Sequence, residues 1–306
     1  MRKIIVIIAV LLATASFISA QPPVAAPPSD ASAAPETPQT SPQESVQENV
    51  QYGDVEGQKL LLDVYEPAKA DGQLHPAVVL IHGGGWTSFD KSTMRGMGGV
   101  LARAGYVAFS VDYRLFHDSE NRWPAQLDDV QHAVRWVRAH AATYQVDGEH
   151  IGAFGHSAGA QLAALLGMED SRDNSDPGLA RYSSRVEAVV DVSGPSDFTT
   201  GRDADGDTFL AAFLGGDYSH HADLWRDASP AFHASKGDAP FLIFHGTRDE
   251  NVPIAQAEEL VERLKQAGVP VTFMKVDDVH TFQTPGARLR LAIATVDFFN
   301  RYLKAK

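Results

Sequence analysis

Four short stretches of this 306-residue chain carry residue types that can work on a carbonyl: "HGGGW" at 82–86, "GHSAG" at 155–159, "HGTRD" at 245–249 and "DDVHTF" at 277–282. Gly155, Ser157 and Gly159 fit G-x-S-x-G, a sharp strand-to-helix turn that thrusts a serine hydroxyl outward. A plain tight turn would fit the same five letters. The apolar strand before them and the alanine-rich helix after them favour a nucleophile at Ser157. A serine hydroxyl attacks poorly at neutral pH unless a base takes its proton as attack proceeds. Among twelve histidines, His280 is the one between the last strand-like and the last helix-like segments, which makes it the favoured base. His82 sits beside glycines, His132 and His140 lie on a long helix, and His156 adjoins the serine.

An imidazole in that role needs a carboxylate to fix its tautomer and stabilise its protonated form. Asp249 ends the strand-like "FLIFHGTRD" and lies between Ser157 and His280 in the chain. Asp197, in "SGPSDF", is the alternative acid, and either carboxylate also reads as an ordinary turn residue. Glu250 is adjacent but would point a different way from the turn. "HGGGW" offers backbone donors for the negative charge that a carbonyl oxygen gains on becoming tetrahedral. Gly84 and Gly85, with the N–H of Ala158 after the serine, are the expected donors. A phosphate-binding glycine loop fits poorly, because neither G-x-x-x-x-G-K-[ST] nor a helix-opening G-x-G-x-x-G is present there. Trp86 and His156 flank these groups and are candidate substrate-pocket residues. Phe209, Phe213, Trp225 and Phe232 either line that pocket or pack an insert onto the helices beneath it.

The segments that must hold these groups alternate between strand and helix. "KLLLDVYEP" alternates like an exposed or half-buried strand, whereas "PAVVLIHGG" and "YVAFSVDYR" are continuous apolar runs of the kind buried on both faces. "PAQLDDVQHAVRWVRAHAATY" places Leu127, Val130, Ala133, Val134, Val137 and Ala141 at helical spacing. "HIGAFGHS" then leads into "AGAQLAALLG". "VEAVVDVSG", "PFLIFHGTRD" and "PVTFMKV" read as strands, "IAQAEELVERLKQAG" and "RLRLAIATVDFFNRYLK" as helices. Such alternation implies an α/β fold with a mostly parallel sheet covered on both faces. Functional groups then gather at the carboxyl ends of strands, where all four stretches fall. Residues 198–238 break the rhythm and are the expected insertion over the site.

Bulk properties narrow the setting. A hydrophobic fraction of 44% and a charged fraction of 21% suit a globular chain with a substantial core. The formal charge of −13 argues against nucleic acid or an anionic membrane surface as the main partner, although an acidic soluble surface accounts for it equally well. The chain has no cysteine, which excludes disulfides, thiolate catalysis and thiolate metal sites. "MRK", an apolar run and small residues near Ala15 and Ala20 read as a signal peptide over 1–20, with no stable membrane insertion once it is cleaved; an uncleaved membrane anchor is the alternative, although the apolar run is short for a span. An exported protein without cysteines fits a bacterial periplasm or exterior. Residues 21–49, rich in Pro, Ala, Ser and Gln, read as a disordered linker, leaving 50–306 as one catalytic domain. Oligomeric state is not legible.

"HGGGW", "VDYRL", "GHSAGAQLAALLG", "SGPSDF", "HGTRDENVP" and "VHTF" occur in that order, and from about residue 50 onward the chain resembles the α/β-hydrolase superfamily. Within it, the chain is similar to exported bacterial carboxylesterases of the feruloyl and acetylxylan esterase-like (BD-FAE-like) and hormone-sensitive-lipase-like groups. The resemblance implies an α/β-hydrolase fold with a small insertion over the site. It puts Ser157, Asp249 and His280 on the triad positions and the "HGGG" glycines on the oxyanion hole, with no metal or organic cofactor. The implied activity is hydrolysis of short-chain acyl or aryl esters, acetyl and feruloyl among them, on small molecules or polysaccharide, through an acyl-enzyme. A small amide hydrolase of arylformamidase or peptidase type is the alternative, and a non-catalytic hydrolase-fold binding protein a more distant one. Hormone-sensitive-lipase-like relatives usually carry an acidic residue before the serine and a second glycine after "SAG". Here those positions are His156 and Ala160, which leans toward the feruloyl-esterase and arylformamidase side.

Overall fold

The computed structural model describes residues 45–68, 72–170, 176–200 and 208–304. The expected signal peptide and all of the expected linker up to residue 44 lie outside the described residues. The chain runs β1 (Ser45–Val55), β2 (Gln58–Glu66), β3 (His75–Ile81), α1 (Arg95–Arg103), β4 (Val107–Val111), α2 (Ala125–Ala139), β5 (Val146–His156) and α3 (Ala158–Leu166). It continues through β6 (Ala188–Val192), α4 (Thr208–Leu214), α5 (Tyr218–Asp227), β7 (Phe241–Gly246), α6 (Ile254–Gln266), β8 (Val271–Val276) and α7 (Pro285–Tyr302).

The eight strands form one sheet in the order β1-β2-β4-β3-β5-β6-β7-β8. β2 pairs antiparallel with β1 and β4, and every other neighbouring pair is parallel. Side chains alternate across the sheet, so each central strand feeds two cores. Val79 and Ile81 of β3 join Val130 and Val134 of α2, Leu162 of α3 and Leu260 of α6. Val78 and Leu80 face the other way, toward Leu101 of α1 and Phe298 and Phe299 of α7. Burial on both faces is why β3 and β4 read as unbroken apolar runs.

Three elements differ from the sequence expectation. The last five residues of the expected linker belong to β1: Ser45 pairs with Glu66, and the Ser45 hydroxyl and Gln47 amide both donate to the Glu66 carboxylate. Pairing with β2, rather than apolar content, holds that polar strand. β2 is more deeply buried than its alternation implies, with Leu62, Asp63, Val64 and Tyr65 all enclosed. Helix α1, "RGMGGVLAR", is not among the expected helices because three glycines give it a poor intrinsic propensity. Burial of Leu101 and Ala102 against the sheet stabilises it instead. Of the expected insertion, residues 208–214 and 218–227 form two short helices and residues 201–207 lie outside the described residues.

Candidate active site

Ser157 stands between β5 and α3 with φ 56° and ψ −121°, a conformation that costs a non-glycine residue about 1–3 kcal/mol. The surroundings impose it. The Ser157 N–H donates to the Val192 carbonyl at the end of β6 (2.8 Å), and the Ser157 carbonyl accepts from Ala160 in the first turn of α3 (2.9 Å). A Cβ on Gly155 would collide with the Gly159 carbonyl, and one on Gly159 with the carbonyls of Ile81 and His82. Both glycines therefore exist for close backbone approach, and together they press the turn against the end of β3.

His280 and Asp249 converge on this serine although 123 and 92 residues separate them from it in the chain. His280 Nε2 lies 2.9 Å from Ser157 Oγ, and its Nδ1 lies 2.7 Å from Asp249 Oδ2. The other carboxylate oxygen, Oδ1, accepts from the N–H groups of Asn251 (3.0 Å) and Val252 (2.9 Å). Burial pushes the Asp249 carboxyl up, but the His280 bond and the Val252 N–H outweigh it and hold the group below its ordinary range. An ionised Asp249 can only accept, so Nδ1 of His280 carries the hydrogen and Nε2 is left to accept from the serine hydroxyl. The arrangement can draw a proton off Ser157 as its oxygen attacks.

The loop carrying His280 is fastened by Asp278. Its carboxylate accepts from the Thr284 hydroxyl (2.6 Å) and from the N–H groups of Val279 (2.8 Å), Gln283 (3.1 Å) and Thr284 (3.0 Å). The Thr284 hydroxyl, followed by the backbone donors, holds its pKa down at about 2. Asp249 has a similar support: His245 Nε2 donates to the Val252 carbonyl (2.8 Å), steadying the turn whose N–H groups reach Asp249. Burial lowers the His245 pKa, in keeping with a neutral ring that donates from one nitrogen.

The "HGGGW" loop passes beside the serine. Gly84 has φ +108°, and a Cβ there would collide with the Ser88 carbonyl. Its own carbonyl is turned away to accept from the N–H groups of Thr87 and Ser88, both at 3.1 Å. The N–H groups of Gly84, Gly85 and Ala158 find no acceptor among the described residues, and all three residues line the cleft that contains Ser157. Tyr113 holds the loop from behind, its hydroxyl donating to the His82 carbonyl (3.0 Å) while its ring stacks on His82 at 4.2 Å. Burial lowers the pKa of His82, whose Nδ1–H donates to the Gly83 carbonyl (2.7 Å). Backbone donors without an acceptor among the described residues, in the cleft that holds the serine, are what a developing oxyanion requires.

The family model BD-FAE matches residues 62–264, which contain the glycine loop, Ser157 and Asp249. The chain belongs to the BD-FAE family. Among its relatives is the probable carboxylic ester hydrolase LipM of Mycobacterium tuberculosis, 30% identical over 78% of this chain and 57% of LipM. The chain spans little more than half the length of the curated relatives it matches first. Esterase Est2 of Thermogutta terrifontis, solved with butyrate bound, superposes with a TM-score of 0.73 at 27% identity, covering 87% of this chain and 97% of Est2. A second structure of Est2, phosphorylated by paraoxon, superposes with a TM-score of 0.69 at 27% identity over 87% of this chain and 97% of that one. The fold is the α/β-hydrolase fold, as the motif order implies.

In this BD-FAE chain the cleft around Ser157 has a volume of about 1090 Å³. Trp86 and His156 both line it, as does Phe209 from the insertion. Phe213 and Trp225 do not: Phe213 stacks beneath Trp86 at 4.7 Å, and Trp225 is buried with its indole N–H on the Gly216 carbonyl (2.9 Å). Phe232 is exposed, with Arg226 and Arg263 each 5.9 Å from its ring centroid. Phe89, Met94, Phe198 and Leu210 complete the apolar wall and were not expected there. His156 turns its Nε2 to the main-chain oxygen of His280 (3.1 Å), and Asp197, the alternative acid, lines the same cleft but bonds Thr199 while His280 bonds Asp249. Glu250 is exposed. The support from Tyr113, His245 and Asp278 was missed, although "VDYRL", "HGTRD" and "DDVH" each placed a polar side chain next to a recognised group. No cluster of three or more metal-ligating side chains occurs among the described residues.

Proposed function

We propose that the protein is a serine carboxylesterase that cleaves short-chain acyl or aryl esters, acetyl and feruloyl esters among them, through an acyl-enzyme. Ser157 Oγ attacks the ester carbonyl while His280 Nε2 takes its proton, and Asp249 stabilises the imidazolium that forms. The carbonyl oxygen, now negative, is met by the N–H groups of Gly84, Gly85 and Ala158. Collapse of this intermediate releases the alcohol with a proton from His280. Water then attacks the acyl-serine along the same route and frees the acid. The substrate is a small-molecule or polysaccharide-linked ester, and the steps use this chain's own groups and one water.

The observation that carries the reading is the unbroken line from Asp249 Oδ2 through His280 to Ser157 Oγ, at 2.7 and 2.9 Å. Support also comes from the relatives: LipM is named a probable carboxylic ester hydrolase, and Est2 is an esterase that holds butyrate and takes a phosphoryl group from paraoxon. The cleft has room for an aromatic acyl group as well as an acetyl group. Ser157→Ala is expected to lower kcat on p-nitrophenyl acetate by about 10⁴-fold or more. Hydrolysis at the parent rate would sink the proposal.

A further inference from the structure

We propose that Asp197 makes the cleft selective for esters bearing a positive charge, an ammonium or quaternary ammonium group, a substrate class that rests on the hydrolase reading above. Asp197 is 3% exposed, yet it lines the same cleft as Ser157 and His280. One carboxylate oxygen, Oδ1, is engaged by the N–H of Thr199 (2.6 Å) and by its hydroxyl (2.7 Å). The other, Oδ2, has no hydrogen-bond or ion-pair partner among the described residues. A carboxylate on the cleft wall, with one oxygen left without a partner among the described residues, offers an acceptor and a negative charge to a ligand that carries a positive one.

The side chain cannot readily swing away to solvent. Gln256 of α6 accepts from the N–H groups of Ser196 (2.8 Å) and Asp197 (2.7 Å) and donates to the Asp197 carbonyl (3.0 Å). The Ser196 hydroxyl adds a bond to the Gln256 carbonyl (2.6 Å). Four bonds thus clamp the segment to a helix, and the carboxylate stays on the cleft wall. No lysine or arginine is among the described residues that line the cleft. The cleft that Asp197 lines is also aromatic: Trp86 and Phe198 meet edge to face at 5.7 Å, and Phe89 and Phe209 line the same space. Aromatic side chains that share a cleft with a carboxylate whose Oδ2 has no partner among the described residues are the kind of lining that holds an ammonium group. The same surroundings repel a substrate that carries a carboxylate of its own.

The test compares acetylcholine with its neutral isostere 3,3-dimethylbutyl acetate, each hydrolysed by the parent enzyme and by Asp197→Asn. The asparagine keeps an Oδ1 acceptor for Thr199. In the parent, kcat/KM is expected to favour acetylcholine by about tenfold, and in the variant the ratio falls toward one. Because the ratio is taken within one preparation, partial loss of folded enzyme cancels. A second readout needs no variant: tetramethylammonium should inhibit hydrolysis of p-nitrophenyl acetate competitively, whereas neopentanol should not. A ratio near one in the parent, or a preference that survives in Asp197→Asn, would overturn the assignment, as would absence of inhibition by the cation. Hydrolysis of both esters at matched rates sinks this proposal alone. Hydrolysis of p-nitrophenyl acetate with neither of the two esters cleaved likewise sinks this proposal alone, whereas hydrolysis of none of the three sinks the esterase reading and this one with it.

Discussion

His156 donates from Nε2 to the main-chain oxygen of His280 across 3.1 Å, so the residue before the nucleophile holds the backbone of the base. A carbonyl can only accept, which puts the hydrogen on Nε2. Burial lowers the His156 pKa, and the neighbouring His280 ring, 5.0 Å away, further disfavours a second proton. In the proposed mechanism the two rings divide the work: His156 positions the backbone while His280 takes the proton from Ser157.

That division predicts a graded mutational response. His156→Phe removes the donor and should lower kcat on p-nitrophenyl acetate roughly tenfold, while His156→Gln, which can still donate, should recover much of the loss. Steady-state kinetics on the two variants and the parent check this. Equal losses in both variants would leave His156 as packing alone.

Asp249→Asn should reduce kcat by about 10³–10⁴-fold, because an amide in place of the carboxylate favours the wrong imidazole tautomer. The Asn251 and Val252 N–H groups keep an oxygen acceptor, so the fold should be retained. Glu250→Gln, one residue on and exposed, should stay within about twofold of the parent. Comparable losses in both would mean that the turn, rather than the carboxylate facing His280, matters.

Asp191 of β6 gives the fold a pH signature. Burial raises its carboxyl to about 6 against a single bond from the Gly194 N–H (2.9 Å). Its folded pKa lies above the unfolded value, so folding takes up a proton between about pH 4 and 6, and stability declines as pH rises through that window. Above the window the ionised group costs roughly 3 kcal/mol. Asp191→Asn should therefore gain stability relative to the parent between pH 4 and pH 8, by up to roughly that amount. Urea melts at the two pH values measure it, and an unchanged difference would contradict it.

Much of this molecule is legible in its residues, for reasons that are themselves physical. β3, β4, β7 and the buried end of β5 at 151–155 are short apolar runs because both faces are covered, and the turns at their carboxyl ends are punctuated by glycine and by His, Ser or Asp. Those features are local in sequence. β1 is not, since "SVQENVQYGDV" gains its strand only by pairing with β2. α1 is not, since its glycines weaken the helix that the sheet then stabilises. At the site, Ser157, His280 and Asp249 could be named from position, whereas Asp278, His245 and Tyr113 act through backbone groups that acquire neighbours only on folding. The aromatic residues of the insertion divide between lining and packing, with Phe209 in the cleft and Phe213 beneath Trp86. Spacing alone contains nothing that separates them.

The most direct test of an activated Ser157 is intact-mass measurement of the protein after reaction with paraoxon, followed by peptide mapping. The expected result is one diethylphosphoryl group per chain, carried by Ser157 and absent from Ser157→Ala. An unmodified protein, or a phosphoryl group borne by another residue while Ser157 stays free, would contradict it.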